Sequence, residues 1–259
     1  MINVVVGGAT GKLGRMVCQL ILEDSRMDLT GAIVSSQGGN VGKELYPGVV
    51  ACGPDAVRSC LADADVYVDL TTPDAASRLI PSIPDTNTNL VVGTTAVDEE
   101  AVRSLKEALK KTNNSALMSA NFSLGVNLFW RLCEMMASSL PGYDIELIDI
   151  HHNQKKDSPS GTAMEAVRAM QAVTGIEAVR HGREGKAEKR GREIGVHSLR
   201  AGDVVGDHTV IFAGNMERLE VTHRAVSREA FARGCVEAIN WIADKRDGEL
   251  HSMREVLNL

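Results

Sequence analysis

The chain has 259 residues, 44% of them hydrophobic and 24% charged, with a formal net charge of −6. That balance suits soluble globular structure, one large domain or two modest ones, and speaks against a broad nucleic-acid surface. Aromatic residues make up only 3%, so any core must be mostly aliphatic.

Residues 2–6 are a short β-branched run bounded by glycine and read as a buried strand. From Gly11 to about Leu22, the apolar residues Leu13, Val17, Leu20 and Ile21 recur at helical spacing. Residues 29–34, 65–70 and 89–92 are further strand candidates. A helix over about 98–111 opens with Asp98, Glu99 and Glu100, acids that suit its N-terminus, and 115–120 is one more strand. This alternation predicts βαβ units on a parallel sheet, a Rossmann-like doubly wound domain over residues 1–122. The texture then changes. Residues 126–139 form an apolar helix candidate with Leu128, Phe129, Leu132, Met135 and Met136, followed by a strand at 143–150 and a polar stretch from 175 to 195. Strand candidates at 196–201, 207–213 and 217–224, joined by glycine-bearing turns, predict an α+β second domain on a mixed or antiparallel sheet. A last helix runs from Ser227, its N-cap, to about Lys245.

Cys18, Cys52, Cys60, Cys133 and Cys235 are scattered, with no CxxC pair. They read as free or buried thiols in a reducing compartment, with neither a disulfide frame nor a metal site. The opening MINVVVGGATGKLG lacks a basic leader, and no run approaches the ~18 apolar residues of a membrane span. The expected setting is the cytoplasm, with no membrane or nucleic-acid partner.

The run Gly8-Ala9-Thr10-Gly11-Lys12-Leu13-Gly14 directly follows the first strand and opens the first helix. Glycines there permit a tight turn and close approach of backbone N–H groups to a diphosphate, at the positive end of a helix. A nucleotide phosphate loop fits badly, because Leu13 stands where Ser or Thr should meet magnesium. The second strand ends at Ser35-Ser36 with no carboxylate to grip a ribose or repel a 2′-phosphate. Ser35 reads either as part of an NADPH pocket or as a loop residue.

Residues 151–162, HHNQKKDSPSGT, place two histidines and Lys155 between a strand and a helix beginning near Thr162. Ser160, Gly161 and Thr162 offer hydroxyls and N–H groups at that helix start, a ready carboxylate site. A histidine can lend a proton near neutral pH. Each element also has a bland reading: a surface histidine pair, a plain helix cap. Zinc is disfavoured, since adjacent residues on an extended chain point apart and no HExxH is present.

The run HHNQKKDSPSGTA resembles the HHxxKxDxPSGTA signature of dihydrodipicolinate reductases. Gly93-Thr94-Thr95 is similar to their GTT segment, Ser119-Ala120-Asn121-Phe122 opens a stretch similar to their AxNFSxGVN hinge, and residues 200–208, 217–234 and 253–257 match further family stretches. The resemblance implies reduction of a cyclic dicarboxylate to tetrahydrodipicolinate in diaminopimelate and lysine biosynthesis, by a homotetramer using NADPH, NADH or both. It implies His151 as proton donor and Lys155 as the second essential group, with His152, Gly161 and Thr162, beside Ser160, holding the dicarboxylate. Gly8, Ala9, Thr10, Gly11, Lys12 and Leu13, with Ser35, Gly93, Thr94, Thr95, Ser119, Ala120, Asn121 and Phe122, would line the cofactor. Residues 1–122 plus 230–259 would form the dinucleotide domain and 123–229 the substrate and oligomerisation domain. Two departures stand out: Ser35 and Ser36 replace the Asp-Arg or Glu-Arg pair of many relatives, and 182–195 follows the family loosely. A semialdehyde dehydrogenase would need a nucleophilic cysteine in a loop, and Cys133 and Cys235 fall in helix candidates. A non-catalytic dinucleotide sensor would leave the HHNQK and SGT groups without a role.

Overall fold

Val4, Val5 and Val6 are all fully buried, as a strand covered on both faces requires. The computed structural model describes residues 1–186 and 189–259. In chain order the elements are β1 (Ile2–Gly7), α1 (Lys12–Glu23), β2 (Met27–Ile33), β3 (Glu44–Tyr46), β4 (Val49–Cys52), α2 (Val57–Cys60), β5 (Val66–Asp69), α3 (Pro73–Leu79), β6 (Asn89–Val92), α4 (Glu99–Thr112) and β7 (Ala116–Met118). They continue with α5 (Leu124–Ser139), β8 (Asp144–His151), α6 (Gly161–Thr174), β9 (Val179–His181), β10 (Ile194–Arg200), β11 (Gly206–Gly214), β12 (Glu217–Ala225), α7 (Glu229–Ile242), β13 (Leu250–His251) and α8 (Met253–Val256). Met1–Leu124 and Glu229–Leu259 make one compact unit, and Gly125–Arg228 makes the other.

The first unit is built on a sheet in the order β13-β7-β6-β5-β1-β2-β4-β3, parallel throughout except for the β3–β4 pair. Val17 and Ile21 of α1 and Ile239 and Ile242 of α7 pack one face. Val57, Ala76, Leu105 and Leu109 of α2, α3 and α4 pack the other. The Asp98 side chain caps α4 by accepting from the Glu100 N–H, and Asn113 ends it in the left-handed region at φ 59°. The final helix is shorter than the expected 227–245. It stops at Ile242, where the Asn89 amide donates to the carbonyls of Ile242 at 2.7 Å, Ala243 at 3.2 Å and Lys245 at 3.0 Å, closing the helix end.

The second unit carries a sheet in the order β12-β11-β8-β10-β9. It is mixed: β10 runs parallel to β8 and β9, whereas β11 is antiparallel to β8 and β12. Phe129 and Cys133 of α5 and Val167 and Met170 of α6 pack against Ile145, Leu147, Val196, Val210 and Phe212. Residues alternate faces along a strand, so Ile145, Leu147, Asp149 and His151 all point to this covered face. His151 is thus the last residue of β8 rather than the first of a loop. The polar stretch 175–195 contains β9 and the start of β10, and its residues 187–188 lie outside those described. Among the described residues, no helix is long and apolar enough to cross a membrane.

Candidate active site

Because β1, β2, β5, β6 and β7 are parallel and in register, their following turns emerge at one edge: Gly7 pairs with Ile33 and Asp69, Asp69 with Val92, and Val92 with Met118. β1 lies between β2 and β5, the point where strand order reverses and where such sheets hold ligands. Gly8 has φ +76°, and a Cβ there would meet the Leu70 carbonyl at 2.2 Å. Gly11 at the N-cap of α1 has no side chain to satisfy the first-turn N–H groups, which are left for an outside anion. These features fit a dinucleotide diphosphate. Tyr46 braces the loop by donating to the Ala9 carbonyl at 3.2 Å. Lys12 and Ser35 are exposed, and Ser35 Oγ accepts from the Gln37 N–H at 3.3 Å. Thr95 and Ala120 are exposed, Gly93 and Ser119 half-buried. Ser119 Oγ donates to the Asn121 carbonyl at 2.7 Å, and Asn121 Oδ1 accepts from the Ser123 N–H at 2.9 Å. Phe122 is 2% exposed, its ring in the core beside Gly93 and its carbonyl against Gly234.

Sequence reasoning missed the group at the centre of this edge. Asp69, fully buried at the end of β5, accepts at Oδ1 from Thr94 Oγ1 at 2.6 Å, Thr71 Oγ1 at 2.8 Å and the Thr71 N–H at 3.2 Å, and at Oδ2 from the Tyr67 hydroxyl at 3.0 Å. Burial and the Asp69 charge push the Tyr67 phenol well above its usual value, so it remains a donor.

In the second unit, Ser160 caps α6. Its Oγ accepts from the Ala163 N–H at 3.1 Å, its own N–H donates to Asp149 Oδ2 at 3.0 Å, and Oγ also lies 3.1 Å from His208 Nε2. At 2% exposure the Ser160 hydroxyl is committed to these internal partners, unlike the open carboxylate donor expected of it. Gly161, the first helical residue, is exposed and Thr162 half-buried. Lys155 Nζ pairs with Asp157 at 2.8 Å, which holds the Asp157 carboxyl below its usual range. Arg200 donates to the Asp157 carbonyl at 2.6 Å, and Arg228 lies 3.4 Å from His152 Nε2. His152 is pushed below its usual value, first by lost hydration and then by Arg228, His151, Lys155 and Arg200. Both arginines stand inside family stretches quoted above, so a signal for them existed. Their convergence makes the ground around His152 and Lys155 electropositive, suited to an anionic substrate.

His151 borders this ground. Its Nδ1 lies 2.9 Å from Asp149 Oδ1, and its ring meets His208 edge-on with centroids 5.2 Å apart. A Cβ at Gly206 would sit 2.9 Å from His151 Nε2, so the missing side chain leaves that nitrogen room. Asp149, His151 and His208 offer one oxygen and two nitrogens within 4.8 Å of one another, a spacing a divalent cation could also use. The Ser160 N–H and Arg200, 3.5 Å from Asp149 Oδ2, already compensate the carboxylate.

The five cysteines are free thiols. Burial pushes Cys133 up to about 12 and Cys18 up to about 11, and raises Cys235 as well, so none of these three is a ready nucleophile.

Residues 2–122 match the family described as dihydrodipicolinate reductase, N-terminus, and residues 125–257 its C-terminus counterpart. A 4-hydroxy-tetrahydrodipicolinate reductase of Methanopyrus kandleri is 40% identical, over 99% of this chain and 97% of that protein. The enzyme of the same name from Methanocaldococcus jannaschii is 41% identical, over 100% and 98%. A dipicolinate-bound dihydrodipicolinate reductase from Paenisporosarcina sp. TG-14 shares the fold, with a TM-score of 0.82 at 22% identity over 97% of each chain. With both halves matched and about two residues in five shared over full length, this chain belongs to the dihydrodipicolinate reductase family.

Proposed function

We propose that this chain reduces the cyclic dicarboxylate 4-hydroxy-tetrahydrodipicolinate, or its dehydrated form, to tetrahydrodipicolinate in diaminopimelate and lysine biosynthesis. The observation that carries the reading is His151 at the rim of a patch made by Lys155, Arg200 and Arg228 beside the start of α6. A dianionic ring suits that patch, and an imidazole at its edge suits a reaction that ends in protonation.

NADPH or NADH, when bound, supplies the hydride from C4 of its nicotinamide. Gly8, Ala9, Thr10, Gly11, Lys12 and Leu13 would hold the diphosphate, Ser35 would flank the ribose, and Gly93 to Thr95 with Ser119 to Phe122 would line the nicotinamide side. Residues 1–122 plus 230–259 then serve the cofactor, and 123–229 the substrate. The hydroxylated ring first loses its 4-hydroxyl as water. One hydride and one proton then add across a carbon–carbon double bond of the dehydrated ring, and His151 gives the proton to carbon. Lys155 exchanges Asp157 for a substrate carboxylate, while His152, Gly161 and Thr162 hold the dicarboxylate in place. Ser160 serves by fixing the start of α6. NADPH is accepted at least as well as NADH, since no acid at Ser35 repels a 2′-phosphate. The enzyme works in the cytoplasm as a homotetramer, whose contacts use the uncovered face of the second sheet, where Ile148, Ile150 and Ile211 are half-buried and Leu199 is exposed. The test is oxidation of NADPH and of NADH by the purified protein with freshly generated substrate. Turnover with neither cofactor would overturn the reading.

A further inference from the structure

We infer that Asp149 is the positioning residue of the proton donor: clamped between two strands, it holds His151 with Nδ1 inward and Nε2 toward the reacting carbon. This rests on the reading of His151 as the acid. Asp149 stands two residues before His151 on β8, so both side chains leave the same face and lie side by side. Register places His208 of β11 directly opposite Asp149. Oδ1 then lies 2.9 Å from His151 Nδ1 and 3.3 Å from His208 Nε2, while Oδ2 takes the Ser160 N–H at 3.0 Å and faces Arg200 of β10 at 3.5 Å.

A fully buried carboxylate is costly unless donors surround it. Burial alone would raise its carboxyl, but the contacts from His151, His208 and Ser160 outweigh that and hold it well below the usual range. Asp149 is thereby held as a carboxylate beside His151 Nδ1. With Nδ1 2.9 Å from the carboxylate, the proton that can leave is the one on Nε2, which lies over Gly206 where any side chain would crowd it. The Ser160–His208–Asp149 spacing is no nucleophilic triad. Serine and aspartate approach the same nitrogen, and the Ser160 oxygen already accepts from the Ala163 N–H.

Wild type, Asp149→Asn and His151→Ala are compared by steady-state kinetics across pH, by calorimetry with pyridine-2,6-dicarboxylate, and by proton NMR of the imidazole N–H region. Asp149→Asn should lower kcat by about 10²-fold or more, while KM and affinity for the dicarboxylate change by less than about threefold. The basic limb of its kcat–pH profile should move to lower pH. Wild type should show a strongly downfield imidazole N–H proton, assigned by its loss in His151→Ala, and absent in Asp149→Asn. A folded Asp149→Asn with wild-type kcat and an unmoved profile overturns the inference. So does the absence of the downfield proton in wild type, a measurement that needs no variant to fold. Near-wild-type turnover in His151→Ala would instead remove the acid assignment itself.

Discussion

The Thr94 hydroxyl donates to the buried carboxylate of Asp69 across 2.6 Å, tying the turn after β6 to the end of β5. Thr94→Val deletes that donor and leaves Oδ1 with Thr71 alone. A hydrogen bond to a charged group contributes about 1.5–3 kcal/mol. If the turn serves the nicotinamide, NADPH affinity should fall about tenfold or more, and Thr94→Ser should restore it. Fluorescence titration reads this; an unchanged Kd in the valine variant would confine the network to a structural role.

Gly206 lies under the imidazole of His151. In Gly206→Ala the new methyl must displace the ring from its present place, because the contact would be 2.9 Å. Turnover of the folded variant at a temperature well below its melting should fall about 10-fold to 100-fold, as small misplacements of a reacting group do, with a stability loss of about 1–3 kcal/mol. Full turnover in this variant would mean that the ring works from another orientation.

Lys155 is occupied by Asp157, whose side chain is 62% exposed. An exposed pair is worth about 0–1 kcal/mol. Asp157→Asn should therefore tighten pyridine-2,6-dicarboxylate binding by no more than about fivefold. Lys155→Ala should weaken it much more. Calorimetry distinguishes the two; equal, null effects would place the carboxylate site elsewhere.

Ser35→Asp should invert cofactor choice. A carboxylate there repels a 2′-phosphate and offers an acceptor to the NADH ribose, worth about 1.5–3 kcal/mol, or roughly tenfold or more in preference. The observable is the ratio of kcat/KM for the two cofactors. A ratio that does not move would show that other residues build the ribose pocket.

Half-buried His223 is held below its usual value by lost hydration and by His208, with Asp207 opposing. The folded state thus binds this proton less readily than the unfolded chain, whose histidine value is about 6.5. Stability from keeping His223 neutral is fully present above that pH and is lost as pH falls through the folded value. His223→Gln should flatten the decline of unfolding free energy on acidification below about pH 6.5. Urea denaturation across that range is the check, and an unaltered slope would assign the decline to other groups.

Much of the first unit was legible because its strands follow local patterns: a β-branched run, then glycines, then apolar residues at helical spacing. The β3–β4 pair and the short helices α2 and α3 were not, since segments of three to seven residues carry little period and tertiary packing decides them. His151, Lys155 and the start of α6 announced themselves by crowding together in the chain. Asp149 and Asp69 did not. Each reads as one polar residue at or near a strand end, and its meaning comes from partners on neighbouring strands and turns: His208 and Arg200 for one, Gly7 and Thr94 for the other. Ser160 was legible as a cap and misjudged as an open donor, because only the fold brings His208 against its hydroxyl.

His151 closes a strand that sits in the middle of its sheet, flanked by β10 and β11, with Ile145 and Leu147 anchoring it in the core. Arg200 stands opposite His151, whose carbonyl accepts from the Ala201 N–H at 2.8 Å. A group mounted this way does not fray on its own. Its amide should therefore exchange with solvent only as the sheet opens, and heat inactivation and melting of this unit should coincide. A change at Leu147, buried in that core, should then shorten the persistence of activity on heating without touching any residue of the candidate site.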